Sequence, residues 1–225
     1  HYDKTGFMRE VFDTEEGVLN AIRKCMAGMP AYDPSNFKVA EPAEPLYSPT
    51  ELNHIVPFNQ KRVYSFDQVL ARLIDGSEHM EYRPDYGPEV YCGLAKVDGF
   101  LMGVIGNRQG YLGKDYPKYV EGRYTGIGGK LYREGLIKMN EMVMFCGRDR
   151  VPIIWFQDTS GIDVGDIAEQ AELLGLGQSL IYSIESSHLP MMCVVLRKGT
   201  AAAHYIMGGP QATRNNAFTL GIATT

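Results

Sequence analysis

Two short apolar runs on either side of one amphipathic stretch constrain the fold of this chain more than any other feature of its sequence. The first run spans 151–156 and the second spans 191–196, and the stretch 167–186 between them has the apolar spacing of a helix. Strand, helix and strand joined by short loops predict parallel strands linked by right-handed crossovers, with helices packed on the sheet. The sequence therefore predicts an α/β fold.

Four further elements precede this unit. The sequence predicts a helix over 14–29, a second helix that begins at Ser65 and stops at residues 75 and 76, a hairpin of 90–95 and 100–105, and a helix over 131–149. Asp13 and Glu16 have capping-box spacing at the start of the first helix. Asp98 and Gly99 are a strong signal for a two-residue turn in the hairpin. The last helix is expected to turn one apolar stripe inward, made of Leu131, Leu136, Met139, Met142, Val143 and Cys146.

Six prolines follow the first helix, and the stretch that holds them shows no sustained periodicity. They are Pro30, Pro34, Pro42, Pro45, Pro49 and Pro57. Such a composition indicates a linker on a surface, and we place a domain boundary near residue 46. Residues 1–45 then lie before this boundary, and 46–225 lie after it. Because the sequence starts at His1 and stops soon after a strand-like run near Phe218, we expect further chain at both ends.

Charge and composition argue against several classes of protein. The formal net charge of -5 leaves no broad cationic surface for nucleic acid. The sequence contains no run of about 18 apolar residues, so a membrane span is not expected. The four cysteines lie far apart in apolar surroundings, which predicts buried thiols rather than a zinc site or a disulfide framework.

Two loops stand where chemistry is expected, because ligands of layered α/β folds usually lie beyond the carboxyl ends of the strands. Gly161 and Gly165 in the first loop permit a close approach of the backbone to a ligand. The second loop holds Gly199 and three alanines that enter a short helix, and these small side chains leave the N–H groups of Ala202 and Ala203 open. A pair of backbone donors suits the stabilisation of an oxyanion. The spacing alone favours two tight loops between packed elements over a ligand site.

Other motifs are weaker. The glycine-rich segment 126–130 lacks the spacing and the hydroxyl residue of a P-loop, and we interpret it as a turn into the following helix. Asp158, Asp163 and Asp166 have no matching ligands for a metal ion, and capping and turn formation explain them. His204 is interpreted as a structural histidine rather than a catalytic one. The sequence therefore predicts no metal site and no acid–base motif.

Eight segments carry a resemblance to a known family. They are NQKRVY at 59–64, ARLIDGS at 71–77, YGPE at 86–89, GVIGN at 103–107, GIGGKLYR at 126–133, QDTSGIDVG at 157–165, AELLGLGQSLIYS at 171–183 and RKGTAAAHY at 197–205. The chain resembles the biotin-dependent acyl-CoA carboxyltransferases, and the last four segments resemble the decarboxylase branch that acts on glutaconyl-CoA. This resemblance covers essentially the whole chain.

The resemblance implies a crotonase-like (ClpP/crotonase) α/β fold of repeated ββα units. In this family a subunit has two halves, and the active site forms between the N-terminal half of one subunit and the C-terminal half of its partner in a homodimer. By motif position the backbone N–H groups of Ala202 and Ala203 would bind the ureido carbonyl of biotin. The same pocket would be lined by Gly161, Ile162, Gly199 and Thr200. The CoA thioester would bind in the other half.

The implied reaction moves the carboxyl group of glutaconyl-CoA to biotin on a separate carrier subunit and leaves crotonyl-CoA. The implied assembly couples this step to sodium export through a membrane decarboxylase subunit. This chain would be cytoplasmic and attached to the membrane only through those partners. Two other interpretations remain open: the carboxyltransferase of a biotin-dependent acyl-CoA carboxylase, and a non-catalytic module that dimerises or holds the carrier.

Overall fold

A computed structural model gives the fold of the chain and describes residues 10–27, 39–110, 112, 118–120, 123–125, 127–209 and 216–221. Its helices are α1 (Glu15–Ala27), α2 (Leu52–Ile55), α3 (Phe66–Leu70), α4 (Arg133–Asp149), α5 (Asp166–Gln170), α6 (Leu173–Ser187) and α7 (Ala201–Ile206), with 3₁₀ turns at Pro49–Glu51 and Asp75–Ser77. The strands are β1 (His79–Glu81), β2 (Val90–Val97), β3 (Phe100–Asn107), β4 (Lys118–Val120), β5 (Arg123–Thr125), β6 (Ile153–Thr159), β7 (Met191–Gly199) and β8 (Asn216–Gly221).

Six of these strands form one mixed sheet in the order β1-β2-β3-β6-β7-β8, and β4 pairs with β5 separately. The first three strands of the sheet are antiparallel, whereas β3, β6, β7 and β8 run parallel. Trp155 of β6 lies opposite Cys193 of β7, so the two apolar runs are neighbouring parallel strands, as the sequence predicts. The parallel direction brings the carboxyl ends of β3, β6 and β7 to one edge.

The predicted hairpin is confirmed, and a buried carboxylate holds its turn. Asp98 and Gly99 have φ values of 52° and 78°, the conformation that a two-residue turn of this kind requires. The carboxylate of Asp75 accepts hydrogen bonds from the N–H groups of Asp98 at 2.9 Å and Gly99 at 2.7 Å. The N–H groups of Val39 and Ala40 donate to the carbonyl of Gly99, so the hairpin turn also anchors the segment before the predicted boundary at residue 46. That boundary stays a prediction.

Apolar layers cover both faces of the sheet, because successive side chains of a strand point to opposite faces. Ile105 and Trp155 pack with α4 and α6 in the larger core. Val104, Ile154 and their neighbours pack against Phe66 of α3 in the smaller one. This two-sided burial explains why the parallel strands read as continuous apolar runs. All six residues predicted to face inward from the 131–149 stretch are buried.

Two helices differ from their predicted bounds. The single helix expected over 167–186 is broken into α5 and α6 by Glu172, which has a φ of 60°. Ala168 of α5 and Leu173 of α6 are both buried in the core on either side of the break, whereas Leu174 is exposed. The helix that begins at Ser65 ends at Leu70, and the chain continues to residue 77 in turns.

The N-terminal helix forms where the sequence predicts it, although its first residues differ from the expected capping box. The hydroxyl oxygen of Thr14, rather than Asp13, accepts a hydrogen bond from the N–H of Gly17 at 3.1 Å. Positions 28 and 29 lie outside the described residues. The sequence also predicts an apolar stripe on this helix, in which Cys25 is half-buried and the other described members are exposed, namely Val18, Leu19, Ile22 and Met26.

The thiols of Cys92, Cys146 and Cys193 are free and buried, as the sequence predicts, and Cys25 is half-buried. Burial raises the pKa of Cys92 and of Cys193 to about 12, so both stay protonated at neutral pH. These thiols act as small apolar groups in the core.

A carboxyl group is buried at the start of α4. The side chain of Glu89 is 2% exposed, and its Oε1 atom accepts a long hydrogen bond from the N–H of Tyr132. Gly135 in the first turn packs on this oxygen so closely that a Cβ there would overlap it. Burial raises the pKa of Glu89 to about 7, and the buried ammonium group of Lys138 lowers it only in part.

Glu89 is expected to make stability fall as pH rises. Its folded-state pKa lies above the ordinary value of 4.5, so the folded state binds more protons between pH 4.5 and about 7. The free energy of unfolding of the Glu89→Gln variant should therefore gain on the wild type by about 3 kcal/mol across this range and level off above it. Urea unfolding at pH 5 and pH 8 measures the change. Glu169→Gln on the exposed surface of α5 is the matched control, and a difference between wild type and Glu89→Gln that does not vary with pH would contradict the expectation.

Candidate active site

The two loops that the sequence singles out begin side by side. Thr159 at the end of β6 pairs with Gly199 at the end of β7. Gly161 and Ile162 follow the first strand, and Thr200 follows the second, so these positions gather at one edge of the sheet. This edge is where an open α/β sheet binds its ligands.

A buried ion pair lies beneath this edge. The Nε atom of Arg197 donates to Oδ2 of Asp158 at 2.7 Å, and their side chains are 1% and 0% exposed. The Nη1 atom of Arg197 also donates to the carbonyl of Arg62 at 2.6 Å, and the guanidinium carbon lies 4.7 Å from the centre of the Tyr64 ring. The pair therefore joins the ends of β6 and β7 to the segment that precedes α3.

Tyr64 is a neutral member of this cluster. Burial is the main cause that raises the pKa of Tyr64 well above its usual range, and the nearby Asp158 carboxylate raises it further. The guanidinium group of Arg197 opposes this shift only in part. The phenol therefore keeps its proton and adds no charge to the buried pair.

The backbone of Asp158 is fixed from the side of β3. The side-chain oxygen of Asn107 accepts a hydrogen bond from the N–H of Asp158 at 3.0 Å. The amide group of Gln109 donates to the carbonyl of Asp158 at 2.6 Å. Both backbone groups of this residue are satisfied by side chains, because the strand ladder ends here.

The glycine-rich segment forms a turn rather than a phosphate cradle. The N–H of Gly128 donates to the carbonyl of Gly110, and the N–H of Gly129 donates to the carbonyl of Arg108, each at 2.8 Å. The carbonyl of Gly129 accepts from both the N–H and the hydroxyl of Ser160, at 2.7 and 2.9 Å. These N–H groups are therefore not available to an anion. Position 126 lies outside the described residues.

The loop after β6 presents an open backbone at Gly161. This residue has a φ of 131°, and no atom of the described residues lies within 4 Å of the position that a Cβ would take. Its N–H donates to the hydroxyl of Thr159 at 3.2 Å, so the free surface is the Cα face and not the N–H. Ile162 is held by a parallel bridge to Leu131.

The helix after β7 presents two backbone donors. The first N–H groups of a helix have no acceptor within the helix, and those of Ala202 and Ala203 donate to no other described residue. The chain enters α7 through Ala201, whose φ of 48° is unfavourable for an alanine by about 1–2 kcal/mol. Strain of this kind is often found at functional sites.

Sequence reasoning missed two buried interactions at this edge of the sheet. One is the ion pair of Asp158 with Arg197, and the other is the side chain of Gln157, which binds His204 and the end of α7. A signal for the first exists in the sequence, since an acid and a base each end a predicted apolar strand. For Gln157 no such signal exists, because one amide in an apolar run does not reveal its partner.

His204 is bonded within the fold, which confirms its structural interpretation in part. Its Nδ1 atom lies 2.6 Å from Oε1 of Gln157.

Asp158 is paired with Arg197, and Asp163 lies 3.4 Å from the ammonium group of Lys130. Across the described part of the chain, no three His, Cys, Asp or Glu side chains come close enough to hold a metal ion. Within the same residues, no helix is long and apolar enough to cross a membrane.

Comparison with known proteins gives a consistent result. The family described as the carboxyl transferase domain matches residues 1–224. The chain is 57% identical over 225 residues to the glutaconyl-CoA decarboxylase subunit alpha of Acidaminococcus fermentans, which covers 100% of this chain and 38% of that one. It is 26% identical over 166 residues to the mitochondrial methylcrotonoyl-CoA carboxylase beta chain of Arabidopsis thaliana, over 74% of this chain and 25% of that one. The chain thus spans well under half the length of either relative.

Two solved structures share the fold. One is transcarboxylase 12S, with a TM-score of 0.74 and 22% identity over 90% of this chain and 37% of that one. The other is a single-chain, multi-domain long-chain acyl-CoA carboxylase, with a TM-score of 0.75 and 21% identity over 97% of this chain and 20% of that one. This likeness confirms the crotonase-like α/β fold that the sequence predicts.

Breaking the buried ion pair is expected to cost much stability. Arg197→Met leaves the Asp158 carboxylate buried without its partner, which should lower the free energy of unfolding by about 3–5 kcal/mol. The same exchange at the exposed pair of Arg148 with Asp149, Arg148→Met, should leave the free energy of unfolding nearly unchanged, because solvent screens this pair. Chemical denaturation of both variants measures the difference, and similar losses for the two would refute the role of the buried pair.

Proposed function

This chain belongs to the carboxyl transferase domain family, and from that membership we propose that it is part of a biotin-dependent carboxyltransferase that acts on glutaconyl-CoA. The carboxyl group moves to biotin on a carrier subunit, and crotonyl-CoA is the product. The observation that carries this proposal is the 57% identity over the whole chain to a glutaconyl-CoA decarboxylase subunit alpha. Relatives named for other acyl-CoA substrates are far less similar, at 26% for the methylcrotonoyl-CoA carboxylase beta chain.

The backbone N–H groups of Ala202 and Ala203 are the proposed donors to the ureido carbonyl oxygen of biotin. Neither N–H donates to another described residue, and Ala202 is exposed whereas Ala203 is buried at the same carboxyl edge of the sheet. Fixed donors aimed at developing negative charge need no reorganisation during the reaction, and each is worth about 3–4 kcal/mol to the transition state. No titratable side chain is required for this task.

The biotin pocket is proposed to be lined by Gly161, Ile162, Gly199 and Thr200. Gly161 offers an open Cα face, which fits the close approach of a flat bicyclic group. A Cβ atom at Gly199 would overlap the side chains of Gln157 and His204, so only glycine fits at the end of β7. These features support the assignment of Gly161 and Gly199, and Ile162 and Thr200 are assigned as their neighbours in the chain.

The chemistry divides between two sites. In glutaconyl-CoA, the bond between the gamma carbon and the carboxyl group breaks. Its electron pair is delocalised towards the thioester oxygen. Biotin would supply the nitrogen that takes up the carboxyl group. The proton that this nitrogen loses would be transferred to the gamma carbon, which becomes the methyl group of crotonyl-CoA. The role of this chain is to bind the ureido oxygen and to hold it in register with the acyl group. The thioester would be bound by the complementary N-terminal half of a partner subunit.

The partners follow from the same proposal. They are a biotin carrier subunit, a membrane decarboxylase subunit that couples the reaction to sodium export, and a second copy in a homodimer. The subunit named in the relative from Acidaminococcus fermentans and the hexamer assembly named for transcarboxylase 12S support a place in a larger complex. In this arrangement the protein is cytoplasmic and peripheral to the membrane, with 1–45 as the tail of the first half and 46–225 as the second half.

A carboxyltransferase of a biotin-dependent acyl-CoA carboxylase is the second candidate. It is favoured by the methylcrotonoyl-CoA and propionyl-CoA carboxylase beta chains among the relatives, although these are only 26% and 24% identical. The two candidates share the fold, the donor pair and biotin. They differ in the acyl group and in the direction of transfer.

Transfer activity tests the proposal directly. The full-length protein that carries this sequence is incubated with glutaconyl-CoA and free biotin, and crotonyl-CoA is quantified. Formation of crotonyl-CoA that depends on biotin is expected. Turnover with another acyl-CoA, but not with glutaconyl-CoA, would assign the protein to the carboxylases. Absence of turnover with every CoA ester would leave a non-catalytic module.

Removal of one backbone donor tests the site. Lactic acid in place of Ala202 converts the peptide N–H into an ester oxygen and leaves the side chain unchanged. The rate of carboxyl transfer should fall about 100-fold or more. The same replacement at Ala43, which is exposed before β1, is the matched control and should leave the rate unchanged. Equal rates for the two esters would remove Ala202 from the site.

A further inference from the structure

The side chain of Gln157 is fully buried and makes three hydrogen bonds to the segment of α7. Its Nε2 atom donates to the carbonyl of His204 at 3.1 Å and to the carbonyl of Met207 at 2.7 Å. Its Oε1 atom lies 2.6 Å from Nδ1 of His204. The amide group of Gln157 therefore contacts both the backbone of the α7 segment and the imidazole ring of His204.

These contacts determine the orientation of the amide and the tautomer of the histidine. Carbonyl oxygens only accept hydrogen bonds, so the NH₂ group of Gln157 must face the two carbonyls. Its oxygen then faces Nδ1 of His204, and that nitrogen must carry a proton. In the neutral ring the other nitrogen, Nε2, is consequently an acceptor.

The helix that receives these bonds does not hold its own position. α7 has six residues, from Ala201 to Ile206, and isolated helices shorter than about 12–15 residues are marginal in water. It is held by the burial of Ala203, Ile206 and Met207 and by the amide of Gln157 at its C-terminal end. The strained φ of Ala201 at its start also has to be maintained by these contacts.

The end of β7 closes the same cluster from the other side. A Cβ at Gly199 would lie 2.5 Å from Oε1 of Gln157 and 2.7 Å from Nδ1 of His204. The backbone at Gly199 therefore rests directly on the hydrogen bond between the two side chains. Two residues later the chain enters α7, where the proposed donors are.

We propose that Gln157 and His204 are positioning residues that hold the N–H groups of Ala202 and Ala203 in line with the ureido oxygen. This inference rests on the proposed carboxyl transfer. Neither side chain has to touch a substrate, because each acts through α7. An error of about 1 Å in the placement of such groups can lower a rate about 100-fold.

Two substitutions of His204 separate positioning from the filling of space. In His204→Asn the amide nitrogen takes the place of Nδ1 and still donates to Gln157, whereas His204→Leu fills the space without a donor. We expect kcat within about threefold of the wild type for His204→Asn and a loss of about tenfold or more for His204→Leu. The KM for glutaconyl-CoA should stay constant, since the thioester binds elsewhere. His54→Leu on exposed α2 is the matched control.

Gln157→Glu provides a second test from the other partner. A carboxylate of the same shape does not donate to the carbonyls of His204 and Met207, so kcat should fall at least as far as in His204→Leu. All rates are compared per folded protein, as measured by circular dichroism at the assay temperature. Equal kcat values for His204→Asn and His204→Leu, or a full-rate Gln157→Glu, would overturn the proposal.

Nitrogen-15 spectra of the histidines give a readout that does not depend on activity. His204 is assigned by the signal that disappears in His204→Asn, and a proton on Nδ1 is expected. A proton on Nε2 of the neutral ring would overturn the inference. If the Nδ1 proton is present but the wild type shows no biotin-dependent transfer, the proposed function fails and the positioning role fails with it.

Discussion

The buried pair of Asp158 and Arg197 is the contact on which the rest of the site depends. It joins the ends of two parallel strands, and Arg197 extends the connection to the carbonyl of Arg62. Two charges removed from water need each other, because the loss of one partner leaves the other buried and unpaired. Here the backbone of Asp158 is also bonded by Asn107 and Gln109 at the end of β3, so this residue is held from two separate parts of the chain.

The sheet supplies the framework for this contact. Because β3, β6 and β7 are parallel, their carboxyl ends meet at one edge, and the loops that follow them interlock there. Gly129 bonds to Ser160, Gly161 bonds to Leu131, and Gly199 packs on Gln157. All three contacts involve a glycine, because the backbone segments lie closer together than a side chain would allow. The proposed site is thus made mainly of main chain, and the side chains around it act as supports.

Most of the fold follows from the sequence, because apolar periodicity and turn residues are local signals. The hairpin at Asp98 and Gly99 and the buried stripe of α4 are of this kind. The break at Glu172 was not predictable, since it depends on how α5 and α6 fit the core. The loop positions Gly161 and Ala202 were predicted from small residues at strand ends. Their supports were not, because the partner of Gln157 is 47 residues away in the chain.

Donors that belong to the peptide backbone have a consequence for how such a site varies. A peptide N–H does not ionise in the range where proteins stay folded, so the strength of the donor pair is constant across that range. Any acid or alkaline limit on the pair must therefore come from groups that support the fold, of which Glu89 is one. Alanine scanning does not test these donors, because residues 202 and 203 are already alanine. The proposed activity depends on the conformation of the backbone. Substitutions of neighbouring side chains can change that conformation without any change of the donor residues themselves.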